Sequence, residues 1–273
     1  MNTIIFHSQD IEIARNISRD CSGEIESRKS HIRIHTNQLV DLTTYREEYK
    51  LDLNYLPNYF DFSGTSLYIS DMDSTLINIE CIDEIADFAN IKSQIADITE
   101  RAMDGELNFD LALIERVGLL EGLNVEVLER VYKDRLQINP GGKELINFLK
   151  SKSIKIGLVS GGFTYFTEQL SKDSGLDYSL ANTLSIKDEK LTGKINGPIV
   201  NATAKADFVL ELCEINSVST DSVIVAGDGA NDLEMMDIAG LSVAYHAKPK
   251  VIKQANVVIN YAGLDKIMDF FDD

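Results

Sequence analysis

The sequence predicts an α/β protein: an open parallel sheet, a helical bundle inserted over one edge of it, and a small α+β appendage at the N-terminus. From Leu67 onward, short apolar runs alternate with segments of helical periodicity, the pattern of parallel β–α units. Three runs stand out: Leu67-Tyr68-Ile69, Ile154-Lys155-Ile156-Gly157-Leu158-Val159 and Val223-Ile224-Val225-Ala226. Each ends in polar or glycine-rich residues. Ligands of open parallel sheets bind outside the carboxyl ends of the strands, so the residues following these runs are expected in one crevice. The stretch from about residue 78 to 137, between the first two runs, is far longer than a crossover needs.

Taken in order, residues 1–62 carry weak signals. Thr3 to His7 reads as a strand and Ile11 to Cys21 as a helix. His31 to His35, with Ile32 and Ile34 alternating, reads as a second strand. The stretch from Tyr45 to Phe62 is acidic and aromatic and is interrupted by Pro57, and residues 1–62 together read as a small α+β domain or appendage plus a connector. Residues 63–273 form the expected main unit. Within it, 78–137 has helical apolar spacing (Ile82, Ile85, Ala86; Ile91, Ile95, Ile98; Phe109, Leu113, Val117), which suits a lid that excludes water, or a purely structural insertion. Leu184–Lys187 and Leu191–Ile195 flank Asp188-Glu189-Lys190 as a hairpin. Leu241–Tyr245 and Val257–Ile259 read as later strands, and Leu264–Phe271 as a closing helix.

Composition narrows the function. A hydrophobic content of 44% is ordinary for a globular protein, and a net charge of −18 argues against nonspecific binding to nucleic acid or anionic membrane. A phosphorylated substrate would meet a repulsive overall field, so any phosphate site must build positive potential locally. Cys21, Cys81 and Cys213 are widely spaced and suggest reduced thiols in a cytoplasmic protein. The N-terminus reads as no signal peptide, and no apolar run approaches the ~18 residues of a membrane span.

The most informative stretch is Asp71-Met72-Asp73-Ser74-Thr75, directly after the first buried run. Two carboxylates about 4 Å apart repel by roughly 4 kcal/mol at an effective dielectric of 20. A cation, a shared proton or substrate chemistry must relieve that, unless the segment is simply an acidic turn or helix cap. Phosphoryl transfer needs an in-line nucleophile, neutralisation of the transferring oxygens and a proton donor. Asp71 can attack phosphorus and Asp73 can serve as general acid and base. Ser160 and the amides of Gly161 and Gly162 can bind phosphate, although Ser-Gly-Gly is also an ordinary loop. In Gly227-Asp228-Gly229-Ala230-Asn231-Asp232, Asp228 and Asp232 suit Mg2+, a hard ion that prefers oxygen ligands; an Asp-Gly turn is the alternative. Lys205 is a candidate fixed cation, although a lone lysine is usually solvated.

With these motifs in view, the chain resembles the phosphoserine phosphatases of the haloacid dehalogenase superfamily from about Leu67 to its C-terminus. The likeness is densest in Asp71–Leu76 with Glu80-Cys81-Ile82-Asp83-Glu84, Gly105-Glu106-Leu107-Asn108-Phe109 with Arg116-Val117, Val159–Phe163, and Gly227–Asp232 with Ala247-Lys248-Pro249. The resemblance implies a Rossmann-like, doubly wound parallel sheet with a helical cap. It implies hydrolysis of O-phospho-L-serine through a phosphoaspartyl intermediate, the last step of serine biosynthesis. Asp71 would be the nucleophile and Asp73 the acid/base. Mg2+ would be held by Asp71, the carbonyl of Asp73 and Asp228, with Asp232 supporting. Ser160, Gly161 and Lys205 would hold the phosphate, Asn231 would contact the substrate, and Glu80 and Arg116 would read its ammonium and carboxylate. Two departures stand out: Ala112 occupies a position where the family often has Ser, and residues 1–62 do not match the regulatory modules of some relatives. The partner expected is a small phosphomonoester, with neither nucleic acid nor membrane, and self-association into a homodimer is left open. Two other readings share part of this chemistry. One is a phosphatase or phosphotransferase for another small phosphomonoester; the other is a receiver-type phospho-acceptor, which needs neither Asp73 nor a cap.

Overall fold

The computed structural model describes residues 1–103 and 106–271, so Gly105 of the cap motif and residues 272–273 of the main unit lie outside the described residues. The N-terminal part contains β1 (Asn2–Phe6), α1 (Ile11–Asp20), β2 (Glu24–Ser27), β3 (Ile32–Thr36), α2 (Leu42–Tyr49) and β4 (Leu53–Tyr55). Its strands form an antiparallel sheet in the order β2-β3-β1-β4. Period-two alternation divides β1 between two cores: Ile4 and Phe6 pack with Ala14, Ile17 and Ile34, whereas Ile5 joins the main cluster. Asp10 starts α1 by accepting the N–H groups of Glu12 and Ile13. The stretch from Tyr45 to Phe62, where no element was expected, contains most of α2 and all of β4. These are short elements with few buried residues, and they show no period.

The main unit contains β5 (Leu67–Asp71), α3 (Cys81–Phe88), α4 (Lys92–Met103), α5 (Phe109–Gly118), α6 (Glu126–Asp134), α7 (Gly142–Ser151), β6 (Lys155–Phe163), α8 (Thr164–Ser174), β7 (Tyr178–Lys187), β8 (Lys190–Asn196), α9 (Ala202–Asn216), β9 (Val223–Gly227), α10 (Leu233–Ile238), β10 (Leu241–Tyr245), α11 (Pro249–Ile252) and β11 (Val257–Ile259). The seven-stranded sheet runs β11-β10-β9-β5-β6-β7-β8 and is parallel except for the β7–β8 hairpin. The chain leaves β5 for β6 and β7 on one side, then crosses back to β9, β10 and β11 on the other. β5 therefore lies at the switch point, where an open α/β sheet leaves a crevice. In the hairpin turn, Asp188 and Glu189 have φ of 49° and 59°, the positive values that a two-residue primed turn requires.

Helices α3–α6 form the insertion, and Ile82, Ile85, Leu113, Val117 and Leu128 join the core cluster. The insertion is tied to the hairpin by backbone bonds from Gly122 N to Leu191 O (2.8 Å), Leu191 N to Leu123 O (2.8 Å) and Val125 N to Glu189 O (2.9 Å).

The N-terminal sheet covers the outer edge of the large one. The Asn54 side chain accepts from Val258 N and donates to Val258 O, both at 2.9 Å, standing in for a neighbouring strand. Asp52 accepts the N–H groups of Asn260, Tyr261 and Ala262. Asp269 bonds His7 at 2.9 Å and accepts from Ser30 at 2.6 Å. Burial opposes its charge, but the bonds from His31, His7 and Ser30 hold its carboxyl well below the usual carboxylate range. The closing helix is corrected to 3₁₀ winding over Leu264–Phe270. Buried Leu264, Ile267 and Phe270 recur every third residue, the period of that tighter helix.

Candidate active site

β5 delivers Asp71 to the switch point, and a tight loop, Met72–Leu76, follows. In that loop Ser74 adopts φ 58°, a left-handed conformation uncommon for a residue with a side chain. The neighbouring strands supply Ser160 from β6 and, just past the end of β9, Asp228. The three strand ends thus converge as the apolar runs predicted.

Asp71 is 4% exposed and accepts from Lys205 Nζ at 2.7 Å. The same ammonium donates to Asp232 Oδ1, also at 2.7 Å, and both Lys205 and Asp232 are fully buried. The other Asp232 oxygen accepts the N–H groups of Asp228 and Gly229 at 3.1 and 3.0 Å. Thr75 Oγ1 donates to Asp228 at 3.4 Å. Burial, then the charge of Asp232, raises Asp71 well above the ordinary carboxylate range, and the same causes push Asp228 up to about 6. Burial favours a neutral Lys205, but Asp232 and Asp71 outweigh it and hold the ammonium above its ordinary value.

The charge set fits a divalent cation. Oxygens of Asp71, Asp228 and Asp232 lie within 4.8 Å of one another, and all three residues are buried. One lysine among three carboxylates leaves two negative charges uncompensated, which a hard dication would balance. Asp232 has both oxygens engaged by the chain, which leaves Asp71 and Asp228 better placed as ligands.

Asp73 points the other way. Its Oδ1 accepts Cys81 N at 3.0 Å, and its Oδ2 meets Ser160 Oγ at 3.3 Å. Burial raises its pKa. Ser160 Oγ also accepts Gly162 N at 2.8 Å. The Gly162 amide, expected to face phosphate, is therefore engaged internally. Both glycines sit at close approaches. A Cβ on Gly161 would lie 2.8 Å from the Phe109 ring, and one on Gly162 would lie 2.6 Å from Asp73 Oδ2.

These residues line a cavity of about 590 Å³. Asp71, Asp73, Ser160, Gly161, Asp228 and Asn231 line it from the sheet side, and Glu80 and Arg116 line it from the insertion. Glu80 precedes α3 but makes no capping bond; its carboxylate accepts from Ser74 Oγ at 2.7 Å. Glu80 as a whole is exposed at the rim, yet burial of its carboxyl and the nearby Asp73 charge push it up to about 7. Arg116 is half-buried; burial pulls its guanidinium down, opposed by Asp83, Glu80 and Asp73, and its Nε donates to Ala112 O at 3.3 Å. Lys205 and Asp232 lie behind Asp71 rather than on the lining. Lys248, Phe109 and Thr75 are site neighbours that chemical reasoning from the sequence did not select. Lys248 had a signal: it is a cation just past a core strand, and its backbone N donates to Asp228 O at 3.0 Å.

The model of the haloacid dehalogenase-like hydrolases matches residues 65–240. The chain belongs to that family. Within it, the phosphoserine phosphatase of Polaromonas sp. is 47% identical over 212 residues, covering 76% of this chain and 90% of that protein. A haloacid dehalogenase family hydrolase from Salmonella enterica serovar Typhi superposes on the whole chain and on 99% of its own, with TM-score 0.93 and 31% identity. A phosphoserine phosphatase solved with an analogue of its phospho-aspartyl intermediate covers 76% of this chain and 99% of its own, with TM-score 0.71 and 37% identity. Among the described residues of this hydrolase, no helix is long and apolar enough to cross a membrane.

Proposed function

We propose that the chain is a Mg2+-dependent phosphoserine phosphatase, releasing L-serine and phosphate through a phosphoaspartyl intermediate. The observation that carries the reading is the make-up of one cavity: a buried carboxylate pair and a serine-glycine loop on one side, and an acid and an arginine on the other. Phosphoserine presents complementary groups, a phosphate at one end and an ammonium and a carboxylate at the other. The similarity to phosphoserine phosphatases, one of them solved with its substrate bound, supports this choice.

Asp71 attacks phosphorus in line, and the bond from phosphorus to the serine oxygen breaks. Asp73, whose pKa is raised by burial, donates a proton to that departing oxygen as general acid. Water then attacks the phosphorus of the acyl phosphate. Asp73 takes up the water's proton, Asp71 leaves as carboxylate, and inorganic phosphate is released. Ser160, the Gly161 amide and Asn231 bind phosphate oxygens, and Lys205, bonded to Asp71 from behind, offsets charge at the nucleophile. Arg116 pairs with the carboxylate and Glu80 with the ammonium. Mg2+ bound by Asp71, the Asp73 carbonyl and Asp228, with Asp232 in support, would neutralise charge on the transferring group. We assign 1–62 to an N-terminal domain and 63–273 to the catalytic unit with its cap at about 78–137. The three buried free cysteines suit a cytoplasmic setting.

The test is phosphate release from a panel of phosphomonoesters, with Mg2+ and after chelation. A marked preference for phosphoserine that disappears with the metal supports the reading. Equal rates on sugar phosphates would replace it with a broader phosphomonoesterase.

A further inference from the structure

The phosphate loop is a bulge. Between Val159 and Phe163 of β6, its partner β7 advances only from Leu180 to Asn182. The register shift extrudes Ser160-Gly161-Gly162 from the ladder and into the cavity. A bulge leaves backbone groups without a ladder partner, and here the buried side chain of Asn182 supplies one. Its Nδ2 donates to Gly161 O at 2.9 Å, and its Oδ1 accepts Val200 N at 2.8 Å. Asn182 is 1% exposed. The Gly161–Gly162 peptide is thereby held at both ends, its carbonyl by Asn182 and its N–H by Ser160 Oγ. Glycine flanks this peptide on both sides, so little in the backbone itself fixes its plane. Through Val200, the same side chain links the loop to the segment that enters α9, the helix carrying Lys205.

We propose that Asn182 is a positioning residue for the phosphate grip, acting through the Gly161–Gly162 peptide and Ser160 without touching substrate. The proposal rests on the phosphatase reading above and deepens it. Its loss weakens whatever binds through phosphate and leaves recognition of the amino acid end intact.

The test uses the full-length Asn182→Leu variant, which keeps the side-chain size, adds no charge and removes both bonds. Asn182→Ala, which leaves room for water, is read alongside it in case the leucine variant does not fold. Inorganic phosphate and L-serine serve as competitive inhibitors, with circular dichroism melting as the control for folding. We expect the inhibition constant of phosphate and the KM of phosphoserine to rise by about tenfold, which corresponds to about 1.4 kcal/mol, while the L-serine constant stays within about twofold. The alanine variant should show a smaller rise. An unchanged phosphate constant in a folded variant, equal weakening of phosphate and serine, or failure of both variants to fold would overturn the proposal. Should the wild type prove inactive on phosphoserine, phosphate inhibition read on p-nitrophenyl phosphate still decides the role of Asn182, which separates the two failures.

Discussion

Replacing Lys205 with methionine removes the buried cation bonded to both Asp71 and Asp232. Its ammonium is fully buried and lies 2.7 Å from an oxygen of each acid. Methionine fills similar space, so the change is mainly electrostatic. Removing one partner of a buried ion pair costs about 3–5 kcal/mol, because the remaining charge is left uncompensated. Three buried carboxylates would then lie within 4.8 Å of one another. For a chain of this size about 1 kcal/mol corresponds to roughly 2–4 °C, so the metal-free variant should melt at least about 6 °C lower. The sign of the pH dependence follows. Without the lysine, the folded pKa of Asp71, already raised by burial and the charge of Asp232, rises further above its unfolded value, so the folded state binds more protons than the unfolded one. The deficit is therefore largest at high pH and shrinks as pH falls towards about 4. Added Mg2+ should recover part of the loss and none of the activity. Thermal melting of chelated wild type and Lys205→Met across pH is the assay. A shift smaller than about 2 °C, or one independent of pH, would refute the electrostatic account of the buried cluster.

The cap pair sets the substrate. Arg116→Ala should cost about 10- to 100-fold in kcat/KM for phosphoserine, the range of a lost charged hydrogen bond, and far less for a phosphomonoester lacking a carboxylate. Steady-state rates on both substrates check this. Glu80 titrates at about 7, so it loses its charge below that pH and with it the attraction for the ammonium. The KM for phosphoserine should rise as pH falls through about 7, and Glu80→Gln should abolish that slope. At the sheet edge, Asn54→Leu orphans both backbone groups of Val258 and should destabilise the full chain by about 1–3 kcal/mol, measured by urea unfolding.

The parallel sheet and the convergence of Asp71, Ser160 and Asp228 were legible because buried strands appear as apolar runs whose ends are chemically marked. β2 and β4 were not legible. β2 has two exposed charged or polar ends and a single apolar residue, and β4 is three residues long, so neither shows a period. Lys205 looked like a surface residue, yet it occupies the same helical stripe as buried Phe208, Val209 and Leu212. A lone charge on an apolar face was the available clue. Glu80 and Arg116 were reached through resemblance alone, because a helix-start acid and a helical arginine are ordinary until the fold brings both to one cavity. Asn182 escaped notice because its importance depends on a register shift between strands that no local pattern encodes.

In the proposed reaction the phosphoryl group passes through Asp71. Rapid acid quenching of a single turnover with radiolabelled phosphoserine, followed by peptide mapping, tests it most directly. An acid-stable, base-labile label is expected on the peptide bearing Asp71, and none in Asp71→Asn. Label on another residue, or full turnover by Asp71→Asn, would contradict the proposed reaction.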